Sequence, residues 1–197
     1  MKIILASGSP RRHLLLNMIN LPHEVIPSSV EEIVNPTLKP HEVAEELALQ
    51  KGSDVAQSNP GKLIIAADTI VVLENIILGK PSNFGEAFSM LTQLSGRTHE
   101  VITGVALIKG NASEKTVFHV STSVTFAKLT PAEIKAYIQT GSPMDKAGSY
   151  GIQDDFGSLF VSRIDGDYFN VVGLPIQKLY ETLKSFEPKA VEQIIQS

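Results

Sequence analysis

The sequence predicts a mixed α/β (α+β) domain with a central mixed sheet, and three observations carry that expectation. Short apolar runs that stop at Ser/Gly or Pro turns alternate with stretches of helical spacing. Two later segments, His99 to Lys109 and Lys115 to Lys128, are rich in Val, Ile, Thr and Phe, and Gly110-Asn111 between them is turn chemistry. No internal repeat or low-complexity linker divides the chain, so a regular βαβ repeat is not expected. With 43% hydrophobic residues among 197, one domain or two closely packed lobes can bury a sizeable core. The domain is expected over 1–186, with a tail over 187–197.

In chain order, Lys2 to Ala6 is a strand. Ser9 then stands at a cap position and Pro10 at the first position of a helix. Leu14, Leu15, Met18 and Ile19 repeat along that helix, which stops before Pro22, and His23 to Pro27 is a second short strand. Pro40 opens a helix to about Gln57, with Val43, Leu47, Ala48 and Val55 on one face and Lys51 off that stripe. Leu63 to Leu73 is a buried strand interrupted by Ala67-Asp68-Thr69. Glu86 to Leu94 is helical, with Phe84, Phe88, Met90 and Leu91 expected in the core. The two β-rich segments are expected to pair antiparallel. Thr130-Pro131-Ala132-Glu133 matches a capping box with proline at the first helical position, predicting a helix to Gln139 that Gly141 ends. Beyond a Gly-rich loop through Asp155, strands are expected near Leu159 to Ile164 and Tyr168 to Val172. A hairpin turn at Asp165-Gly166-Asp167 would join them, with metal binding by the two aspartates the alternative, and a closing helix follows Pro175.

Composition excludes several function classes. A net charge of −4 argues against broad attraction to nucleic acid, which needs a surplus of Lys and Arg. The absence of cysteine removes disulfides, thiolate nucleophiles and cysteine-ligated zinc. No apolar run has the length of a membrane span, so a cytoplasmic protein without membrane partners is expected.

The candidate chemistry starts at Ser7-Gly8-Ser9-Pro10-Arg11-Arg12. A strand followed by a tight Ser/Gly turn into a helix points backbone N–H groups at one spot, where anions bind. Arg11 and Arg12 in the first turn oppose the helix dipole, a conflict that an anionic ligand would offset. The local alternative is Ser9 as a simple cap with both arginines solvated. Asp68 is a lone carboxylate within an apolar run; burying it unpaired is costly, so it reads as a metal ligand, a base or a hydrogen-bonded group, or else as an ordinary strand end. Lys80, between Gly79 and Pro81, offers a fixed ammonium suited to phosphate, or merely a solvated loop cation. In Met144 to Gln153 two glycines permit close backbone approach to a ligand, and the Gln153 amide suits a base edge; a structural loop with a satisfied amide is the alternative. Glu31-Glu32 either completes a metal site or is a surface turn. The five histidines show no ligand spacing, and no Walker A lysine, G-x-G-x-x-G or G-x-S-x-G is present.

Six segments occur in order: Ala6-Ser7-Gly8-Ser9-Pro10-Arg11-Arg12, Ala67-Asp68-Thr69, Leu78-Gly79-Lys80-Pro81, Leu94-Ser95-Gly96-Arg97-Thr98-His99, Asp145 to Gln153 and Val172-Gly173-Leu174-Pro175. Together they resemble the Maf family of nucleotide pyrophosphatases over about Ile3 to Phe186. The resemblance implies an elongated α/β fold like that of inosine triphosphate pyrophosphatases. It also implies metal-dependent (Mg²⁺ or Mn²⁺) hydrolysis of a nucleoside triphosphate between its α and β phosphates. It assigns Asp68 as proton acceptor or magnesium ligand, and Ser9, Arg12, Glu32, Lys51 and Lys80 to a polar pocket, with Glu32 and Asp68 as the metal pair. Arg11, Thr69 and Gln153 match positions tied to base choice. The Ala-Gly-Ser-Tyr-Gly-Ile-Gln segment is similar to the branch acting on dTTP and UTP, rather than on 7-methyl-GTP. Many members carry glycine after this glutamine, whereas here Asp154-Asp155-Phe156 follows. A non-catalytic regulator of septum formation is the competing class, a broader pyrophosphatase acting on modified pyrimidine or 7-methylguanine nucleotides is the runner-up among enzymes, and a homodimer is one assembly open to the chain.

Overall fold

The computed structural model describes residues 2–109, 114–153 and 156–196. The Gly110-Asn111 turn and Asp154-Asp155 lie outside the described residues. Among the described residues the architecture is mixed α/β around one sheet. Its strands are β1 (Ile3–Leu5), β2 (Glu24–Val25), β3 (Leu63–Leu73), β4 (Ile76–Leu78), β5 (Thr98–Lys109), β6 (Glu114–Phe126) and β7 (Val161–Asp165). The helices are α1 (Pro10–Met18), α2 (Pro40–Gln57), α3 (Phe84–Leu94), α4 (Pro131–Gln139), α5 (Gly157–Phe160), α6 (Tyr168–Val172), α7 (Ile176–Phe186) and α8 (Pro188–Gln196). The sheet order is β2-β1-β3-β5-β6-β7, with β4 on β3. Two compact units divide the chain: residues 1–68, 103–120 and 173–197 form the first, and 69–102 with 121–172 the second.

In the first unit β1 runs parallel to both β2 and β3, with Ile4 opposite Glu24 and Ile64. Parallel strands covered on both faces read as unbroken apolar runs, which is why Ile3-Ile4-Leu5 and Leu63-Ile64-Ile65 lack alternation. Their cover includes α2, whose Ala48, Val55 and Ala56 cluster with Ile4, Ile64, Ala66, Ala106 and Ile108. The helix lies so close that a Cβ on Gly104 would sit 2.2 Å from the Ala44 carbonyl oxygen, so only glycine fits that strand position. On α1 the inward face is Arg12, Leu15 and Leu16, whereas Leu14 and Met18 are exposed, correcting the apolar stripe expected there. Residues 187–197, expected as a tail, contain α8, which buries Ala190 and Val191.

In the second unit β3 turns into β4 through Glu74-Asn75, both at positive φ (51° and 67°), the conformation of a two-residue hairpin turn. Neither residue announces it as Asn-Gly would, and β4 was not foreseen. Helix α4 matches the expected bounds, and Thr130 and Glu133 cap each other reciprocally. Phe84, expected in the core, is exposed at the start of α3, while Met90 and Leu91 are buried. The Tyr168 to Val172 strand is a correction: it is α6, and Asp167 accepts from the Phe169 and Asn170 amides as its cap, so Asp165-Gly166-Asp167 is not a hairpin turn. Buried Asn170 then donates to the Val101 carbonyl at 2.9 Å and the Thr122 hydroxyl at 2.9 Å, which fixes the short helix in place.

An aromatic cluster centres this unit's core. The His99 ring meets Phe126 and Tyr150 edge-on, and its Nε2 shares a 2.7 Å hydrogen bond with the Tyr150 hydroxyl. Burial pulls the imidazole down to about 4 from 6.5, and its Nδ1 has no partner. The fold therefore favours neutral His99. Its stabilisation is complete above pH 6.5, where folded and unfolded chains are both neutral, and is lost as pH falls from 6.5 through 4. The gap is worth about 3 kcal/mol. Urea unfolding of His99→Leu and wild type between pH 7.5 and 4 should show the variant losing about 3 kcal/mol less over that interval, and parallel pH profiles would refute it.

Candidate functional site

Most of the expected residues converge in the first unit, at the end of β1 and beside the middle of β3. Strand β3 passes through Asp68 without a break, so the interruption expected at Ala67-Asp68-Thr69 is a change of polarity, not of backbone. A strand places its side chains by alternation, and Asp68 is only partly buried while Ala66 and Ala67 are fully buried. The carboxylate is not alone. Lys51 reaches it from α2, with Nζ 2.5 Å from Asp68 Oδ1, and the same ammonium lies 3.0 Å from Glu32 Oε1 in the loop before α2. The Lys51 and Asp68 side chains are 17% and 13% exposed, whereas Glu32 is 46% exposed. The inner pair is therefore the strong one, since screening by water weakens the outer.

Arg12 occupies the other wall. It is buried, its Nε donates to the Gly173 carbonyl at 2.8 Å and its Nη1 to the Ser7 hydroxyl at 3.1 Å. Burial pulls the guanidinium below its ordinary value, which the Asp68 and Glu32 carboxylates oppose and the Arg11 charge reinforces. Arginine remains charged across the accessible pH range, so the effect is a fixed positive centre in the protein interior. Gly173 is at φ 128°, a region open to glycine, and this turns its carbonyl to the guanidinium. That explains the glycine of the Val172 to Pro175 motif. Ser7 belongs to the candidate loop but carries no role of its own in the sequence, and Gly173 has no signal there beyond membership of an ordered motif.

Ser9 stands at the helix cap position, but its side chain makes no capping bond, which corrects the simple-cap alternative. Its backbone N–H instead donates to Ser7 Oγ at 3.2 Å, tightening the turn. Arg11 is half-exposed beside it. The group as a whole holds Arg11, Arg12 and Lys51 against Glu32 and Asp68, one positive charge in surplus, and so suits an anion.

Thr69, Lys80 and Gln153 belong to the second unit. Lys80 is exposed after β4, on a loop pinned by the Gly148 amide donating to the Gly79 carbonyl at 3.0 Å. Gly148 corrects an expectation: a Cβ there would lie 2.9 Å from the Val71 side chain, so the glycine makes room for the core, not for a ligand. Gly148 and Ser149 both have positive φ, Ser149 and Tyr150 are buried, and the Gly151 amide donates to the Tyr137 hydroxyl at 3.3 Å. Gln153, at the end of this fixed loop, is exposed. Among the histidines, His13 Nδ1 pairs with His23 Nε2 at 2.8 Å and His119 Nδ1 with Glu45 Oε1 at 2.7 Å. No group of three or more His, Asp or Glu side chains able to hold a metal occurs among the described residues. No helix among them is long and apolar enough to cross a membrane.

A family model described as Maf-like protein matches residues 2–186. A Bacillus anthracis protein named dTTP/UTP pyrophosphatase is 55% identical over 186 residues, covering 94% of this chain and 95% of that protein. A Bacillus cereus (strain B4264) protein of the same name is 54% identical over 187 residues, covering 94% and 96%. The solved structure of the Staphylococcus aureus Ham1 protein aligns with a TM-score of 0.46 at 18% identity, over 64% of this chain and 72% of that one.

Removal of Lys51 isolates a largely buried Asp68. Lys51→Met should lower unfolding free energy by about 2–3 kcal/mol, and Asp68→Asn in the same chain should restore part of it. Urea titrations of both single variants and the double variant test this; strictly additive losses would mean that the pair is not coupled.

Proposed function

The chain belongs to the Maf-like protein family, and on that premise we propose that it is a nucleoside triphosphate pyrophosphatase acting on dTTP and UTP. The products are the nucleoside monophosphate and pyrophosphate. The observation that carries this reading is the Asp68 carboxylate held by Lys51 beside the buried Arg12 cation. Such a set supplies what phosphoryl chemistry asks of a protein, namely a placed proton acceptor and fixed positive charge. The names of the Bacillus relatives support the choice of nucleotide.

In this mechanism Asp68 accepts a proton from the attacking water. The water oxygen bonds to the α-phosphorus while the bond to the bridging oxygen breaks, and its electron pair leaves on pyrophosphate. Lys51 orients Asp68 and, with Arg11 and the buried charge of Arg12, offsets the charge of the phosphates. Ser9 lies in the turn that opens α1, whose N–H groups face an anion favourably. The resemblance to the family assigns Lys80 to phosphate contacts and Arg11, Thr69 and Gln153 to the choice of base.

A divalent cation, Mg²⁺ or Mn²⁺, fits the donor set. Glu32 and Asp68 bring two hard carboxylate oxygens to the same ammonium, and Mg²⁺ is often held by one or two carboxylates together with substrate phosphates. When bound, such an ion neutralises phosphate charge and lowers the pKa of coordinated water. The enzyme is cytoplasmic in this reading, in line with a chain free of cysteine, and a homodimer.

Asp68→Asn should reduce pyrophosphate release from dTTP about a thousandfold with the fold intact by circular dichroism. Turnover within threefold of wild type would remove Asp68 from the mechanism. Across dTTP, UTP, ATP and 7-methyl-GTP, with and without Mg²⁺, the first two should be hydrolysed best. Preference for 7-methyl-GTP would shift the substrate, and hydrolysis of none would favour a binding regulator. Gln153→Ala should lower kcat/KM for dTTP and UTP about tenfold, the worth of one hydrogen bond, with little change in melting temperature; an equal loss for purine nucleotides would indicate a scaffold role.

A further inference from the structure

Glu32 raises a question of support, because nothing regular and little burial holds the segment that carries it. Residues 26–35 form neither helix nor strand, Ile33 is 71% exposed and Val34 54%. An exposed Glu32–Lys51 pair is by itself too weak to order a loop. Yet α2 grips the segment at two points, one on each side of Glu31-Glu32. On the near side Asp54 Oδ2 accepts from the Ser28 hydroxyl at 2.7 Å and the Ser29 amide at 3.0 Å, while the Val30 amide donates to Ser28 Oγ at 3.2 Å. On the far side the Ile33 amide donates to Gln50 Oε1 at 3.0 Å, and Gln50 Nε2 donates back to the Ile33 carbonyl at 2.9 Å.

The second grip meets both backbone groups of one loop residue as a neighbouring strand would, through a donor and an acceptor on one side chain. Only Asn or Gln offers both groups in a fixed fork. Gln50 Nε2 also donates to Glu46 Oε1 at 3.2 Å, one turn back on α2, which restrains the amide's rotation. Gln50 immediately precedes Lys51, so the same stretch of helix fixes the ammonium and the peptide next to the carboxylate that meets it.

We propose that Gln50 is a positioning residue: by clamping the Ile33 peptide it holds Glu32 against Lys51, and so sets the ionic arrangement around Asp68. The kinetic consequence rests on the pyrophosphatase reading; the ordering of the loop does not. The variants Gln50→Ala, Glu32→Gln and their combination, in the full chain, test both. Alanine is the better helix former at position 50, so α2 should persist and the melting temperature should stay close to that of wild type.

Deuterium exchange should accelerate in Gln50→Ala for the peptide spanning Ser29 to Val34. Its kcat/KM for dTTP should fall about tenfold, the usual scale for groups that orient a ligand-bearing side chain. In the Glu32→Gln background the same substitution should cost no further activity, because the clamp then has no carboxylate to place. Unchanged exchange in Gln50→Ala, or activity losses that multiply in the double variant, would overturn the proposal. If the wild-type chain hydrolyses no nucleoside triphosphate, the functional reading fails, while accelerated exchange in Gln50→Ala would still uphold the clamp.

Discussion

A lysine ammonium shared by two carboxylates organises the first unit. Lys51 is committed to Asp68 at 2.5 Å, and at 3.0 Å it meets the Glu32 of a loop that Asp54 and Gln50 hold onto α2. A carboxylate in the middle of a strand as apolar as β3 would be costly if it stood alone. With Lys51 it becomes a tolerated charge, and the backbone has no need to bulge around it. The tight contact of Gly104 on the Ala44 carbonyl matters for the same reason, since it seats the helix that supplies Lys51.

The second charge centre is built differently. Arg12 donates to a carbonyl and a hydroxyl, and the Asp68 and Glu32 carboxylates also act on its charge. A polyanion arriving at this surface would gain from Arg11 and Arg12, and would compete with Asp68 and Glu32 for Lys51.

Much of this was legible in the sequence where local chemistry decides the outcome. Pro10, Pro40 and Pro131 marked three helix starts, the Thr130–Glu133 pair marked a cap, and the buried run of β3 stood out by composition. Asp68 and Lys51 were both singled out, but their ion pair, 17 residues apart in sequence, depends on how α2 lies on the sheet, which periodicity does not give. Failures came where tertiary contacts overrode a local signal. Tyr168 to Val172 has strand-like residues, yet Asp167 caps it as a helix; Gly148 looked like room for a ligand, yet Val71 fills the space. Gln50 had no signal at all, because a glutamine on a helix face becomes a clamp only when a loop peptide lies opposite it.

The bond from Arg12 to Gly173 joins residues 161 positions apart. During synthesis β1 and α1 emerge early, but the carbonyl that accepts from the buried guanidinium does not exist until the whole second unit has been made. Chains fold in parts as they leave the ribosome. In this molecule the N-terminal loop therefore gains its Gly173 contact only after the chain has been made through residue 173.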